Sequence, residues 1–254
     1  MKKIFALALA LLVVTSIFAF VSCGNKEDKV LKMATSAGFP PYEYYENEKI
    51  TGIDVEIAEA ICKKLGYTLQ VEDMKFNAVI DSVQSGGCDV GIAGITVTDK
   101  RLESVNFSTS YATGVQVIIV NEGSDITGPD DLAGKKIGVQ LSTTGDIYAS
   151  EDFGLDENGS DNGLVIKYNY GSEAISALQG GAVDAVIIDN EPAKSFVAAR
   201  DGLVILETEY IVEEYAIAVS KENTELLEDI NAAIDELIAD GTIDRILAKY
   251  IGAE

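Results

Sequence analysis

Strand-like and helix-like segments alternate along most of this chain, and that order limits the folds it can adopt. Residues 30–35 have the composition of a strand, and 54–65 carries apolar side chains at helical spacing before a stop at Gly66. The order continues, with strands predicted at 67–72, 89–92, 115–120, 136–141, 164–168, 184–188 and 214–220, and helices at 77–84, from 144, at 172–179 and within 222–250. This alternation predicts an α/β fold with mainly parallel sheets flanked by helices.

An internal similarity favours two lobes over one. Segment 83–92 resembles segment 178–187, because each predicts a helix end, a tight glycine turn and a buried strand. Shared α/β architecture explains this similarity as well as duplication does. Ligands of parallel sheets bind beyond the carboxyl ends of the strands, so residues 93–96 and 188–189 are expected to face a common cleft.

The first residues predict export from the cytoplasm. Two lysines precede an apolar run that ends just before Cys23, and polar residues follow at once. This is the pattern of a secretory signal, although an uncleaved anchor helix would have the same apolar length. The segment also resembles a bacterial lipoprotein signal. That resemblance implies that 1–22 is removed, that Cys23 is lipidated, and that 23–29 tethers the protein in the cell envelope outside the cytoplasmic membrane, in the periplasm or at the cell surface.

Charge and residue usage exclude several kinds of function. The chain has 42 acidic against 19 basic residues, a formal net charge of −23, so nucleic acid and anionic lipid are unsuitable partners. It contains no histidine, the usual general base and metal ligand, and we expect neither a metal nor a cofactor. Cys62 and Cys88 either form a disulfide or are buried thiols, and their apolar surroundings favour unpaired thiols.

Two residues that follow the predicted strand 89–92 are suited to binding an amino acid. Arg101 can hold a carboxylate through two parallel hydrogen bonds, or it can pair on the surface with Asp99 or Glu103. Thr96 offers a backbone N–H and a hydroxyl for binding, but these groups suit an ordinary turn equally well.

Two more candidates follow strands in the second half of the chain. Thr144 lies at the start of a predicted helix, where free N–H groups suit a carboxylate, or it simply caps that helix. Asp189 ends a buried apolar strand, where a lone carboxylate is costly unless a cation such as a ligand ammonium meets it. Capping of the next helix is the alternative for Asp189.

Aromatic residues supply candidate walls for the same site. Phe39 lies in a loop stiffened by two prolines, and Phe76 lies at a predicted strand–helix junction, although each alone is more often a core residue. A carboxylate clamp, an acceptor for an ammonium and two aromatic walls predict a receptor for an α-amino acid. No positioned nucleophile or imidazole accompanies them, so we expect a binding protein and not an enzyme.

Three motifs resemble a known family, the polar amino-acid-binding proteins of bacterial ABC importers, which have the type II periplasmic binding fold. The motifs are 52–65, 94–101 with 105–111, and 134–144, and the resemblance extends over about 30–250. It implies a two-lobed α/β protein that captures a small amino acid between its lobes. It also implies delivery of that amino acid to the membrane subunits of an ABC importer by a monomer.

The resemblance implies a role for each candidate residue. Arg101 and the amides of Thr96 and Thr144 would hold the ligand carboxylate. Asp189, the carbonyl of Gly94 and the hydroxyl of Thr96 would hold the ligand ammonium.

Phe39 and Phe76 would enclose the ligand side chain. Ser36 stands where some members carry an acidic residue that aids cationic ligands, and Glu43 lies near the aromatic loop. We expect a polar uncharged ligand such as glutamine, with arginine as the second choice.

The resemblance also implies where the lobes divide. Lobe one is expected at 30–118 plus 215–254 and lobe two at 119–214, with strands 115–120 and 214–220 passing through the hinge.

Two other functions remain open. A dehydratase-type enzyme on the same fold would use Glu43 as its general acid, and a ligand sensor would act through a separate membrane partner.

Overall fold

The computed structural model describes residues 29–207 and 210–252, so the predicted signal 1–22 and Cys23 lie outside the described part. The strands are β1 Lys29–Thr35, β2 Tyr44–Glu46, β3 Lys49–Thr51, β4 Tyr67–Asp73, β5 Val90–Gly91, β6 Val105–Phe107, β7 Ala112–Asn121, β8 Ile137–Gln140, β9 Val165–Tyr168, β10 Ala185–Asp189, β11 Leu203–Ile205, β12 Ile211–Tyr215 and β13 Ala218–Ser220. The helices are α1 Ile53–Leu65, α2 Phe76–Gln84, α3 Asp99–Leu102, α4 Thr144–Phe153, α5 Gly171–Gln179, α6 Asn190–Ala198, α7 Thr224–Ala239 and α8 Thr242–Ile251. None of these helices has both the length and the apolar character of a membrane span.

The strands form two separate main sheets, as the alternation predicts. The first has the order β4-β1-β5-β13-β6, and the second has the order β11-β7-β10-β8-β9 with β12 also paired to β7. In the first sheet β1 is parallel to β4 and β5, and in the second β8 is parallel to β9 and β10. The other pairs in both sheets are antiparallel, so each sheet has a parallel part and an antiparallel part.

Apolar side chains at helical spacing attach the helices to these sheets. Helix α1 buries Ile53, Ile57 and Ile61, and it ends at Gly66, which adopts the left-handed conformation. Helices α7 and α8 pack against α1, so the C-terminal part of the chain belongs with the first sheet. Cys62 and Cys88 are buried and do not form a disulfide, in agreement with the favoured expectation.

The predicted single strand at 214–220 is wrong. Residues Ile211–Tyr215 pair with β7 in the second sheet, whereas Ala218–Ser220 pair with β5 and β6 in the first. Where the chain changes sheet between them, Ala216 donates its N–H to Ile95 O (3.1 Å). Periodicity alone missed this change, since apolar residues continue through it.

The chain passes between the two sheets a second time, between β6 and β7. Here Ser108 and Tyr111 donate backbone N–H groups to Ile217 O (2.9 Å) and Tyr215 O (3.0 Å), so the two crossings lie side by side. Within residues 29–207 and 210–252, strand β7 pairs only in the second sheet, and it contains the lobe boundary that was expected between residues 118 and 119. The crossing itself therefore precedes the expected boundary.

The start of α1 positions the aromatic loop of the first sheet. Ile53 and Asp54 donate their N–H groups to Pro41 O and Tyr42 O, both at 3.0 Å. Gly52 makes this possible, because it has a φ of +128° and an added Cβ would lie 2.2 Å from Tyr42 O.

Gly52→Ala is therefore expected to destabilise the protein more than a matched glycine substitution. Gly66→Ala is the control, because Gly66 also has a positive φ (+74°) but has no atom within 4 Å of an added Cβ. The control should lose about 1–2 kcal/mol, the cost of a left-handed conformation, and Gly52→Ala should lose more because its loop must move. Urea unfolding of both variants measures the difference. Equal losses would contradict this role for Gly52.

Candidate functional site

The candidate site is a cavity between the two sheets, at the carboxyl ends of their parallel strands. The structure brings together all nine residues expected to bind ligand: Ser36, Phe39, Glu43, Phe76, Gly94, Thr96, Arg101, Thr144 and Asp189. Ala93, at the strand end expected to face the cleft, also lines the cavity, as do Gln140 and Thr143, which were not anticipated. Gln140 is the last residue of β8, so the same strand-end rule that selected Asp189 could have identified it.

Arg101 is buried in this cavity and does not make a surface ion pair. Its Nη1 donates to Thr96 O (2.7 Å), and its Nη2 donates to Ser142 O (3.0 Å), which belongs to the second sheet's side of the cavity. The guanidinium carbon lies 5.3 Å from the ring centre of Phe76. No carboxylate of the described residues lies within ion-pair distance of it. The alternative of pairing with Asp99 or Glu103 is therefore wrong.

The guanidinium of Arg101 retains capacity for an anionic group. It has five N–H donors in a planar fork, and the two backbone carbonyls occupy two of them. Burial lowers the pKa of Arg101, and the nearby carboxylates of Glu213 and Asp189 raise it. A carboxylate entering the cavity would likewise stabilise the charged guanidinium.

Asp189 is buried at the end of β10 and does not cap the following helix. It precedes α6, yet its side chain accepts no capping hydrogen bond, so the capping alternative is wrong. The hydroxyl of Tyr215 donates to its Oδ1. Burial, reinforced by the charge of Glu213, raises the pKa of Asp189 to about 7.

At the start of α4, the neighbouring residues Thr143 and Thr144 have different roles. Thr143 is the N-cap of α4, and its hydroxyl accepts from Asp146 N at 3.3 Å. Thr144 is the first helical residue, so its N–H has no partner within the helix and is available to an anion. Its hydroxyl donates to Glu213 Oε2 (3.0 Å).

Glu43 and Asp54 form a buried pair of acids beside the cavity. Asp54 accepts from Gly94 N and from the Tyr111 hydroxyl, both at 2.8 Å, and burial raises its pKa to about 6. Burial and the adjacent Asp54 raise the pKa of Glu43 well above its ordinary range. No described donor reaches the oxygens of Glu43. Burial therefore favours the uncharged form of Glu43.

The aromatic walls differ in how firmly they are held. Phe39 is buried and packs against Tyr42, with ring centres 6.0 Å apart. A Cβ added at Gly94 would lie 3.0 Å from the Phe39 ring, so Gly94 allows the close approach of this wall. Phe76 is half-buried and lies under the guanidinium of Arg101.

Sequence reasoning missed Glu213, which lies on β12 behind the cavity. One carboxylate oxygen, Oε2, accepts from Thr96 Oγ1 (3.0 Å), Thr144 Oγ1 (3.0 Å) and Gln116 Nε2 (3.1 Å). Glu213 directly precedes the predicted strand 214–220, and its three partners lie far away in the sequence. No local signal distinguishes it from the exposed Glu214.

Comparison with known proteins identifies the family. A family model described as "Bacterial extracellular solute-binding proteins, family 3" matches residues 31–253. The chain belongs to this family. Family membership confirms the resemblance seen in the motifs, and a family of extracellular proteins places this member outside the cytoplasmic membrane.

Individual relatives agree with this assignment. The arginine-binding extracellular protein ArtP of Bacillus subtilis is 32% identical over 246 residues, which cover 93% of this chain and 94% of ArtP. The arginine-, lysine-, histidine-binding protein ArtJ of Geobacillus stearothermophilus superimposes with a TM-score of 0.82 at 35% identity, over 89% of this chain and 96% of ArtJ. An ancestral arginine-binding protein bound to glutamine superimposes with a TM-score of 0.81 at 40% identity, over 88% of this chain and 98% of the ancestral protein. These structures confirm the two-lobed α/β fold class, and the relatives are binding proteins.

The raised pKa of Asp189 makes the stability of this solute-binding protein depend on pH. The folded state holds a proton between the ordinary pKa of 3.8 and the raised value of about 7, whereas the unfolded state has lost it. The free energy of unfolding should therefore fall as pH rises through this interval. Asp54 contributes in the same direction at a lower pH.

Asp189→Asn is expected to flatten this decline between about pH 5 and 7.5, because the substituted side chain does not titrate. Asp201→Asn, on an exposed turn of the same lobe, is the control and should follow the wild type. Urea unfolding of the ligand-free protein at several pH values measures both. Parallel curves for wild type and Asp189→Asn would refute the assignment of a raised pKa to Asp189.

Proposed function

We propose that this chain captures a polar L-amino acid between its two lobes and delivers it to the membrane subunits of an ABC importer. The observation that carries the proposal is the arrangement of one cavity, in which a buried guanidinium and a buried carboxylate accompany free helix N–H groups and two phenyl rings. An α-amino acid carries the complementary carboxylate, ammonium and side chain. Similarity to a solved substrate-binding protein of an amino acid ABC transporter supports the importer as partner.

The carboxylate of the ligand is assigned to one side of the cavity. The N–H donors of Arg101 that do not contact Thr96 O and Ser142 O would form charge-assisted hydrogen bonds with it. The amides of Thr96 and Thr144 would complete its coordination. The start of α4 favours negative charge there because of the helix dipole.

The ammonium of the ligand is assigned to the opposite side. Asp189 would supply the counter-charge, and the carbonyl of Gly94 and the hydroxyl of Thr96 would accept the remaining N–H groups. An ammonium in this position would lower the pKa of Asp189 again, since an opposite charge favours the ionised carboxylate. Binding would therefore release a proton near neutral pH.

The side chain of the ligand is assigned to the space between Phe39 and Phe76. Ser36 and Glu43 lie in this part of the cavity, and the hydroxyl of Ser36 and the carboxyl oxygens of Glu43 have no hydrogen-bond partner among the described residues. These groups suit a polar side chain. The acidic surroundings and the names of ArtP and ArtJ favour arginine, and the ancestral relative bound to glutamine makes glutamine the second ligand to test.

Two connections between the sheets support closure around the ligand. The crossings at 108–111 and 216–217 lie side by side, which suits a hinge between two bodies that each contain one sheet. We assign the lobes to these two bodies, acting in a monomer. A dehydratase-type enzyme with Glu43 as its general acid is less well supported, because the chain belongs to a family of solute-binding proteins.

Arg101→Ala is expected to weaken amino-acid binding strongly, because a buried ligand carboxylate would lose its counter-charge. The loss should be about 3–5 kcal/mol, which is on the order of 100- to 3000-fold in Kd. Arg200→Ala is the matched control, because Arg200 also lies over a phenyl ring, that of Phe196 at 5.5 Å, but outside the cavity. Titration calorimetry with arginine and glutamine measures both variants. A loss below tenfold for Arg101→Ala would refute the clamp.

The proposed membrane anchor is tested separately. If Cys23 carries lipid, the protein should be found in the membrane fraction, because two or more acyl chains hold a protein firmly. Cys23→Ser should abolish this attachment without changing the affinity for ligand. Intact mass spectrometry of the exported protein reports the first residue and the lipid mass. A chain that begins elsewhere, or at Cys23 without lipid, would reject the anchor and leave the binding proposal intact.

A further inference from the structure

Glu213 lies outside the cavity lining but contacts two residues that line it. Its side chain is 4% exposed, and its Oε2 accepts the hydroxyl protons of Thr96 and Thr144, both at 3.0 Å. Gln116 supplies a third donor at 3.1 Å. Three donors converge on one oxygen of a carboxylate that makes no ion pair within the described residues.

The backbone holds Glu213 in this position from both lobes. Strand β12 pairs with β7, which places Glu213 opposite Gly114 in the second sheet. On its other side, Glu214 O accepts from Val97 N (3.2 Å), and Tyr215 forms a bridge with Thr96. Glu213 therefore lies where the second crossing meets the strand end that carries Thr96.

These hydrogen bonds determine what the two threonines present to the cavity. A hydroxyl has a single proton to donate and two lone pairs that accept. A carboxylate accepts only, so both threonine protons point towards Glu213 and away from the cavity. Towards a ligand, the hydroxyl of Thr96 is consequently an acceptor, which suits an ammonium and disfavours a second acceptor.

The charge of Glu213 acts in the same direction. After burial, the charge of Glu213 is the largest cause of the raised pKa of Asp189. The carboxyl groups of Glu213 and Asp189 are therefore close enough to interact. A ligand cation beside Asp189 and Thr96 would feel the attraction of both. Arg101, on the carboxylate side, is the balancing positive charge.

We propose that Glu213 is a positioning residue that sets the polarity of the ammonium side of the site, by taking the hydroxyl protons of Thr96 and Thr144 and by adding a buried negative charge. This inference rests on the proposed function. It assigns to Glu213 the preference for ligands with an α-ammonium over analogues that lack it. Glu213 acts through Thr96 and does not contact the ligand.

The test compares pairs of ligands that differ only in the α-ammonium: L-arginine with 5-guanidinopentanoic acid, and L-glutamine with glutaramic acid. Titration calorimetry on the full chain gives the ratio of the two Kd values for each pair. Glu213→Gln should reduce this ratio by at least about tenfold, the effect of one charge-assisted hydrogen bond. Glu214→Gln is the matched control, because it makes the same change at the adjacent exposed residue, and it should keep the wild-type ratio.

A double-mutant cycle separates positioning from a merely structural role. If Glu213 acts through the hydroxyl of Thr96, Glu213→Gln should change the ratio less in a Thr96→Val background. Equal weakening of both ligands of a pair, or an unchanged ratio, would overturn the role of Glu213 while leaving amino-acid capture in place. A wild-type protein that binds neither amino acid would instead refute the proposed function, and this inference with it.

Discussion

The site depends on the electrostatic interactions of the buried guanidinium of Arg101. It is the only buried basic side chain in residues 29–207 and 210–252, and it shares the interior with five buried acids: Glu43, Asp54, Asp146, Asp189 and Glu213. Isolated buried charges are costly, so each acid needs a partner or a proton. Asp146 has Lys167 at 2.8 Å, and the pKa of Glu43 is raised well above its ordinary range, which favours its uncharged form. The remaining negative charge near Arg101 is what makes the cavity receptive to a cation.

The same guanidinium connects the chemistry of the cavity to its architecture. Its contacts with Thr96 O and Ser142 O bring together backbone from both sides of the cavity, and Glu213 does so again through Thr96 and Thr144. Since these groups lie at strand ends of different sheets, they meet only when the lobes approach each other. A ligand that adds its own contacts to both sides would favour that arrangement, as population shift requires.

Much of the fold and of the cavity lining could be predicted from local pattern. Strand ends and helix starts are encoded by residues close in sequence, so Arg101, Thr96, Thr144 and Asp189 could be proposed as neighbours from topology alone. The change of sheet at 216–217 could not, because apolar residues continue through it and only pairing partners reveal the break. The role of Glu213 could not be predicted for a related reason, because its three hydrogen-bond partners come from three distant segments.

The sequence by itself determined the α/β alternation, the acidic character, the lack of histidine and the residue types that follow each strand, because these depend on composition and short-range order. Only the tertiary structure decided how those residues are charged and which way their protons point. The pKa of Glu43 is raised well above its ordinary range, and the pKa of Asp189 rises to about 7, because of burial and neighbouring acids. Burial and through-space charge depend on the packing of distant segments, so no local pattern encodes them.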